Sequence, residues 1–527
     1  MRTTERTHEV LNQAAVLEDT DAFGADLALA EAVQREGGGW GEDRLLDCGL
    51  VAGSAEALEH GRRAERNEPR LLTHDRHGRR VDVVDYDPSW HWLLRGAVER
   101  EIHSMPWRDP RPGAHVVRAA LMYLWSGPNA GVMCPVSMTY SAVPALRCEP
   151  ELAERWIPRL TMPDYEHGAL AGMAMTEKQG GSDVRANTTR AEPAGGGEYE
   201  LVGHKWFCSH PMCDVFLVLA QAPGGLSCFL VQRGPGFEIQ RLKDKLGTRS
   251  LASSEVEFHG APASLVGEEG RGVATIIEMV THTRLDCVVG SAAGMRRAVA
   301  EAVSHARTRS AFGAPLIEQP AMVNVLADLA VEAEAATAAG LRLARAYDEA
   351  DDALRRFATA VMKYWVCKRA TPHAVEALEC LGGNGFVEEG PMARLLRDAP
   401  LNGIWEGSGN VIALDVLRAL SREPEGLPAF LAECELGRGG DRRLDAHLDA
   451  LPVELAELAG EPGAAQWRAR RVVEQLAVAF QASLLVRHAP AAVADAFCAG
   501  RLGEGGRAFG TLPAGVDGQG IVARALP

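Results

Sequence analysis

The chain has 527 residues, 46% of them apolar, and a formal net charge of −16. That length suits three to four domains, or one large lobed unit able to bury a sizeable core. The acidic balance excludes a general nucleic-acid binder, since phosphate binding draws on clustered Lys and Arg, and leaves open only a local basic patch.

The 11 cysteines are odd in number and none is spaced as CxxC. This indicates a reducing compartment. The start, MRTTERTHEV, has no apolar stretch of the leader type, and no apolar run reaches the length of a membrane span. A cytoplasmic chain without membrane contact and without a metal is expected.

In chain order, residues 1–165 read as helical. WHWLLRGAVEREI, HVVRAALMYLWS and CPVSMTYSAVPAL carry apolar residues at helical spacing. At 166–270 the texture changes to short β-rich runs such as YELVGHKWF, DVFLVLAQ and SEVEFHG, separated by Gly and Pro breaks, which predicts a sandwich or barrel. Residues 271–422 return to long helical patterns rich in small residues and predict an antiparallel bundle. Residues 423–527 read as a further helical segment with a Gly-rich end. The fold class is therefore α+β, mainly α.

Five motifs carry potential chemistry. MAMTEKQGGSDV offers Thr176, Ser182 and flexible glycines to a polar ring edge or a phosphate, although a plain surface turn has the same composition. HKWFCSH places Trp206 and Ser209 near the end of a strand, where a tryptophan either covers an aromatic ligand or fills a core. RTRSAFG puts Arg309 and Phe312 after a helix, suited to a pyrophosphate or to simple dipole complementation. LECLGGNGF ends a helix at Gly382 and Gly383, as helices commonly do, and such glycines also admit a nucleotide. NGIWEGSGN sets one carboxylate, Glu406, among small residues ahead of a helix.

The order of these five motifs is more specific than any one of them. On them the chain resembles the acyl-CoA dehydrogenase family, and HEVLNQ, IWEGSGNVIALDVLRAL and DAFCAGRLGEGGRAFGTLP extend the resemblance to its adaptive alkylation-response branch over nearly the full length. The resemblance implies an N-terminal helical domain, a central β-barrel-like domain, a four-helix bundle and an extra C-terminal helical domain. It implies FAD, an acyl thioester substrate, an unnamed electron acceptor and a homotetramer. Met175, Thr176, Ser182, Trp206 and Ser209 would meet the flavin. Arg309, Phe312, Gly382 and Gly383 would hold the nucleotide half across a subunit boundary. Ser408 and Asn410 would border the flavin beside Glu406. The chain departs from the common family pattern at Lys178, Gln179 and Gly180, at Glu379, at Trp405 and at Ser408.

In that family a carboxylate removes the α-proton of an acyl thioester while a β-hydride leaves for the flavin. Glu406 is the expected base, with Arg284 tuning the charge of the site. Some relatives carry the base on the helix that here reads THTRLDC, but the matching position is Thr283, which cannot act as one. Asp286, further along the same helix, should face away. A helix N-terminal carboxylate is the structural alternative for Glu406. The branch also implies association with DNA through a C-terminal domain. Residues 426–527 hold 10 Arg, no Lys and 12 Asp plus Glu. Arg438, Arg442 and Arg443 form one cluster, and Arg468, Arg470 and Arg471 a second. Such a balance supports weak DNA binding at most.

Overall fold

The computed structural model describes residues 7–460 and 462–527. The N-terminal part is built from short capped helices. Asp26, Ser54 and Asp87 each accept a backbone N–H in the first turn of the helices Leu27–Arg35, Ala55–Arg66 and Pro88–Glu99, a contribution of about 1 kcal/mol each. Helices α1 (Ala114–Trp125) and α2 (Met133–Leu146) follow, and both are buried on nearly all sides. The purely helical expectation for this region is corrected at one place. Strand β1 (Arg70–His74) pairs antiparallel with β2 (Arg80–Asp85). From Asp82 to Asp85 buried and exposed residues alternate as on a strand, and Gly78 at φ 79° lies in the connection.

The β-rich region forms β3 (Ala171–Ala174), β4 (Arg190–Gly195), β5 (Glu198–Ser209), β6 (Val215–Ala222), β7 (Gly225–Gln232), β8 (Phe237–Leu242) and β9 (Ser253–Val266). The strand order is β3-β6-β4-β5-β9-β7, and β7 returns to β6, which closes a barrel-like ring. The β5–β9 ladder slips between Lys205 and Cys208. Trp206 and Phe207 sit in that slip, the kind of bulge that re-aims side chains.

The bundle comprises α3 (Gly272–Thr308), α4 (Pro320–Asp348), α5 (Asp352–Cys380) and α6 (Gly409–Arg422). Helix α3 is 37 residues long, and its many alanines and glycines let α2, α4 and α5 pack closely around it. Helix α7 (Pro462–His488) and its C-terminal neighbours pack directly on α4 and α5. Arg501 reaches Asp328 and Glu332 of α4, and Arg369 of α5 shares Glu332. Burial alone would push Glu332 up, but the two guanidinium groups hold it down at about 2. Among the described residues no helix is long and apolar enough to cross a membrane.

Candidate functional site

Glu406 sits in the loop between α5 and α6 at φ +58°, with Gly407 at φ +111°. A non-glycine residue held in this left-handed region costs on the order of 1–3 kcal/mol and persists only where its surroundings enforce it. Two cations do so here. Arg284 of α3 donates from Nε to the Glu406 carbonyl at 3.1 Å, and Lys363 of α5 donates to the carbonyls on either side, Trp405 at 2.8 Å and Gly407. Trp405 is further tied by its indole N–H to Asn402 at 2.9 Å.

The Glu406 side chain faces the other way. Its Oε2 is sealed from solvent and has no hydrogen-bond partner among the described residues. Burial pushes its carboxyl above the usual range, while Thr283 beside it and the charges of Arg284 and Lys363 pull it back. Thr283, the position where some relatives carry the base, therefore adjoins the glutamate that comes from the loop. The helix-terminal alternative gains nothing from this geometry, because Ser408 is the N-cap residue of α6 and its helix start has no side-chain cap. Asp286 is engaged elsewhere, in a fully buried pair with Arg118 of α1, which also lies over the Tyr140 ring. Arg284 is itself oriented by Asp415 at 2.8 Å, and Arg356 holds both oxygens of that carboxylate. Burial would raise Asp415, but the two guanidinium groups outweigh it and keep it below the ordinary value.

The loop 175–188 is pinned against the end of β5. Trp206 N–H donates to the Thr176 carbonyl at 2.8 Å, and Asn187 donates to the Met175 carbonyl at 2.9 Å. Met175, Thr176, Trp206 and Ser209 are half-buried and lie along one strand end, whereas Ser182 is exposed. One face of Trp206 is taken by Lys243, whose Nζ stands 3.0 Å from the ring centre. Ser209 reaches Cys134 of α2, and Cys134 in turn feels the Glu406 charge, so α2 links the strand end to the loop of Glu406.

The remaining motif residues stand outward. Phe312 and Gly313, both at positive φ, form the two-residue tip of a hairpin between Ser310–Ala311 and Ala314–Pro315, and Phe312 is fully exposed. Arg309 at its base donates to the Asn12 carbonyl. A Cβ added at Gly382 or Gly383 would meet nothing within 4 Å among the described residues, so both border open space. Asn410 accepts from Nε of Arg470 at 2.8 Å. A cleft of about 590 Å³ opens beside Gly403 and Ile404 and reaches Lys368 and Glu474. The C-terminal arginines are mostly committed to carboxylates. Arg438 pairs with Glu435 and Asp449, Arg443 with Asp441 and Asp495, Arg468 with Glu457 and Arg471 with Glu454. Arg442 is exposed.

This donor set fits a flavin dinucleotide: a half-buried indole and hydroxyls at a strand end, glycines bordering open space, and a buried carboxylate with an unmatched oxygen. Sequence reasoning missed Glu177, Lys205, Lys363, Asp415 and Arg356. A signal existed for Lys363, a lone lysine in the apolar run FATAVMKYWV.

Residues 12–167 match the family described as Adaptive response protein AidB N-terminal domain. Residues 172–261 match Acyl-CoA dehydrogenase, middle domain, and residues 270–421 match Acyl-CoA dehydrogenase, C-terminal domain. The chain is 44% identical to AidB of Escherichia coli (strain K12) over 515 residues, 94% of each chain. It is 35% identical to acyl-CoA dehydrogenase family member 11 of Caenorhabditis elegans over 425 residues, 74% of this chain and 69% of that one. The crystal structure of Caenorhabditis elegans ACDH-11 in complex with C11-CoA matches at TM-score 0.88 and 28% identity, over 95% of this chain and 94% of that one. An acyl-CoA dehydrogenase complexed with FAD from Bacillus anthracis shares the fold at TM-score 0.70 and 19% identity, over 97% of this chain and 91% of that one. Matched in order from its N-terminal helices through the barrel to the bundle, the chain belongs to the acyl-CoA dehydrogenase family.

Proposed function

We propose that this protein is an FAD-dependent dehydrogenase that introduces a double bond between the α and β carbons of an acyl thioester. The single observation that carries this reading is the Oε2 of Glu406, shielded from solvent and without a hydrogen-bond partner among the described residues. Desolvation makes its ionised form a stronger base, and the cations beside it keep that form accessible. Glu406 would take the α-proton. When bound, FAD supplies the acceptor for the hydride that leaves the β carbon. Met175, Thr176, Ser182, Trp206, Ser209, Ser408 and Asn410 would hold the flavin half. Arg309, Phe312, Gly382 and Gly383 would hold the nucleotide half between subunits of a homotetramer, which suits an exposed phenylalanine on a hairpin tip. The C11-CoA bound by the ACDH-11 structure supports a CoA-linked acyl chain as substrate.

Anaerobic flavin bleaching by a panel of acyl thioesters tests the reading. Glu406→Gln keeps the shape and the FAD and loses bleaching by about 10²–10⁴ in rate, the usual cost of a positioned base. A mutant that bleaches at the wild-type rate overturns it. The second reading, an adaptive-response protein associated with DNA, draws on the N-terminal match, whose description names an adaptive response and no DNA. The carboxylate pairing of the C-terminal arginines weighs against a strong phosphate contact.

A further inference from the structure

We propose that Lys363 is the positioning residue of the site: it aims the Glu406 carboxylate and holds it in the basic form. The proposal rests on the reading of Glu406 as the base. Lys363 is 1% exposed on an apolar stretch of α5, where an ammonium is costly unless it is used. Its Nζ binds the carbonyls of Trp405 and Gly407, and Arg284 binds the carbonyl between them. With three consecutive carbonyls turned to two cations, the backbone is locked in its left-handed turn, and the side chain of the middle residue leaves toward Thr283.

The two cations differ in what balances them. Arg284 has Asp415 at 2.8 Å. Among the described residues no carboxylate lies within ion-pair distance of Lys363, so its charge acts on the nearby Glu406 without a competing anion. Among the described residues the other groups facing Glu406 carry no opposing charge. Cys134 of α2 and Cys287 of α3 are buried thiols pushed up by desolvation, and Thr283 is neutral. Both cations favour the ionised form of Glu406, Arg284 ahead of Lys363, and Lys363 is the one that also holds the carbonyls on either side of it.

The test uses the FAD-loaded protein and the variants Lys363→Met, Lys363→Gln, Lys363→Arg and Glu406→Gln. One readout is the bleaching rate against pH with a thioester that the wild type reduces. The other is infrared titration of the protonated carboxyl band, assigned by its loss in Glu406→Gln, which needs no substrate. Removing a nearby opposite charge raises a carboxylate, so in Lys363→Met the acid limb of the rate and the carboxyl band both move to higher pH. Lys363→Arg restores both toward wild type. If Lys363→Met does not fold, Lys363→Gln, which keeps a donor and loses the charge, carries the same measurement. A lower rate with an unmoved acid limb and an unmoved band reduces Lys363 to packing and overturns the proposal. Wild-type bleaching by Glu406→Gln sinks the base reading instead, and the infrared band still decides on Lys363.

Discussion

Lys205 Nζ meets Glu177 Oε1 at 2.7 Å with both side chains sealed from solvent, and this pair ties the loop 175–188 to β5. Glu177 also accepts the backbone N–H of Thr188 and Thr189, and Lys205 donates to the Leu219 carbonyl. Burial alone would raise Glu177, but Lys205 and these donors hold it at about 2.

Removing one partner of such a buried pair leaves the other charge stranded. Lys205→Met is expected to lose about 3–5 kcal/mol of stability, and the loop that carries Met175 and Thr176 to loosen. Thermal melting of FAD-loaded Lys205→Met beside the double variant with Glu177→Gln checks it. The double variant should melt above the single one.

The same pair shapes the acid response. The folded Glu177 lies below its free value, so its contribution is fully present above about 4.5 and is lost as pH falls toward about 2. Compared with wild type, the double variant, which keeps neither charge, should flatten that limb of a stability–pH curve.

Glu406 behaves in the opposite sense. Its folded carboxyl is raised, so the native state gains nothing from ionising it, and stability attributable to this group is lost as pH rises through its folded value. Glu406→Gln should therefore melt at or above wild type at neutral pH while losing flavin bleaching. A variant that melts lower and bleaches normally would mark the residue as a helix-end carboxylate.

Arg309→Ala is expected to release FAD and weaken the assembly, because a charge-assisted contact to phosphate is worth about 1.5–3 kcal/mol. Flavin absorbance after gel filtration and light scattering of the eluted peak check both. A monomer that keeps its flavin contradicts the intersubunit assignment of Arg309 and Phe312.

For DNA, the pairing of Arg438, Arg443, Arg468 and Arg471 with carboxylates predicts no shift of duplex DNA at about 0.15 M salt, where phosphate contacts are already weakened. A salt-dependent shift removed by substituting Arg438, Arg442 and Arg443 with Ala would favour the adaptive-response reading over the dehydrogenase one.

Much of the fold was legible in the chain because its periods are local. The 37 residues of α3 and the strand runs of 198–266 announce themselves through spacing alone. The hairpin Arg70–Asp85 was lost among helices because its two strands are short and make their pairing within a helical neighbourhood. In the site, Glu406 was visible as a motif residue, and Thr283 and Arg284 through the family resemblance. Lys363 was not, since a lysine in an apolar helix gives no hint of which carbonyls, some 40 residues further along the chain, it will meet.

Motif order carried the resemblance to the family, and hydrophobic spacing the β-rich region between two helical parts, because each is written in contiguous residues; the candidate base followed from the resemblance. The left-handed turn at Glu406, the burial that raises its carboxyl, and the pairing of Asn410 with Arg470 arise only when α3, α5, α6 and α7 come together. Desolvation and charge–charge coupling depend on distances through space, and residues 284, 363 and 406 share no local pattern that encodes those distances.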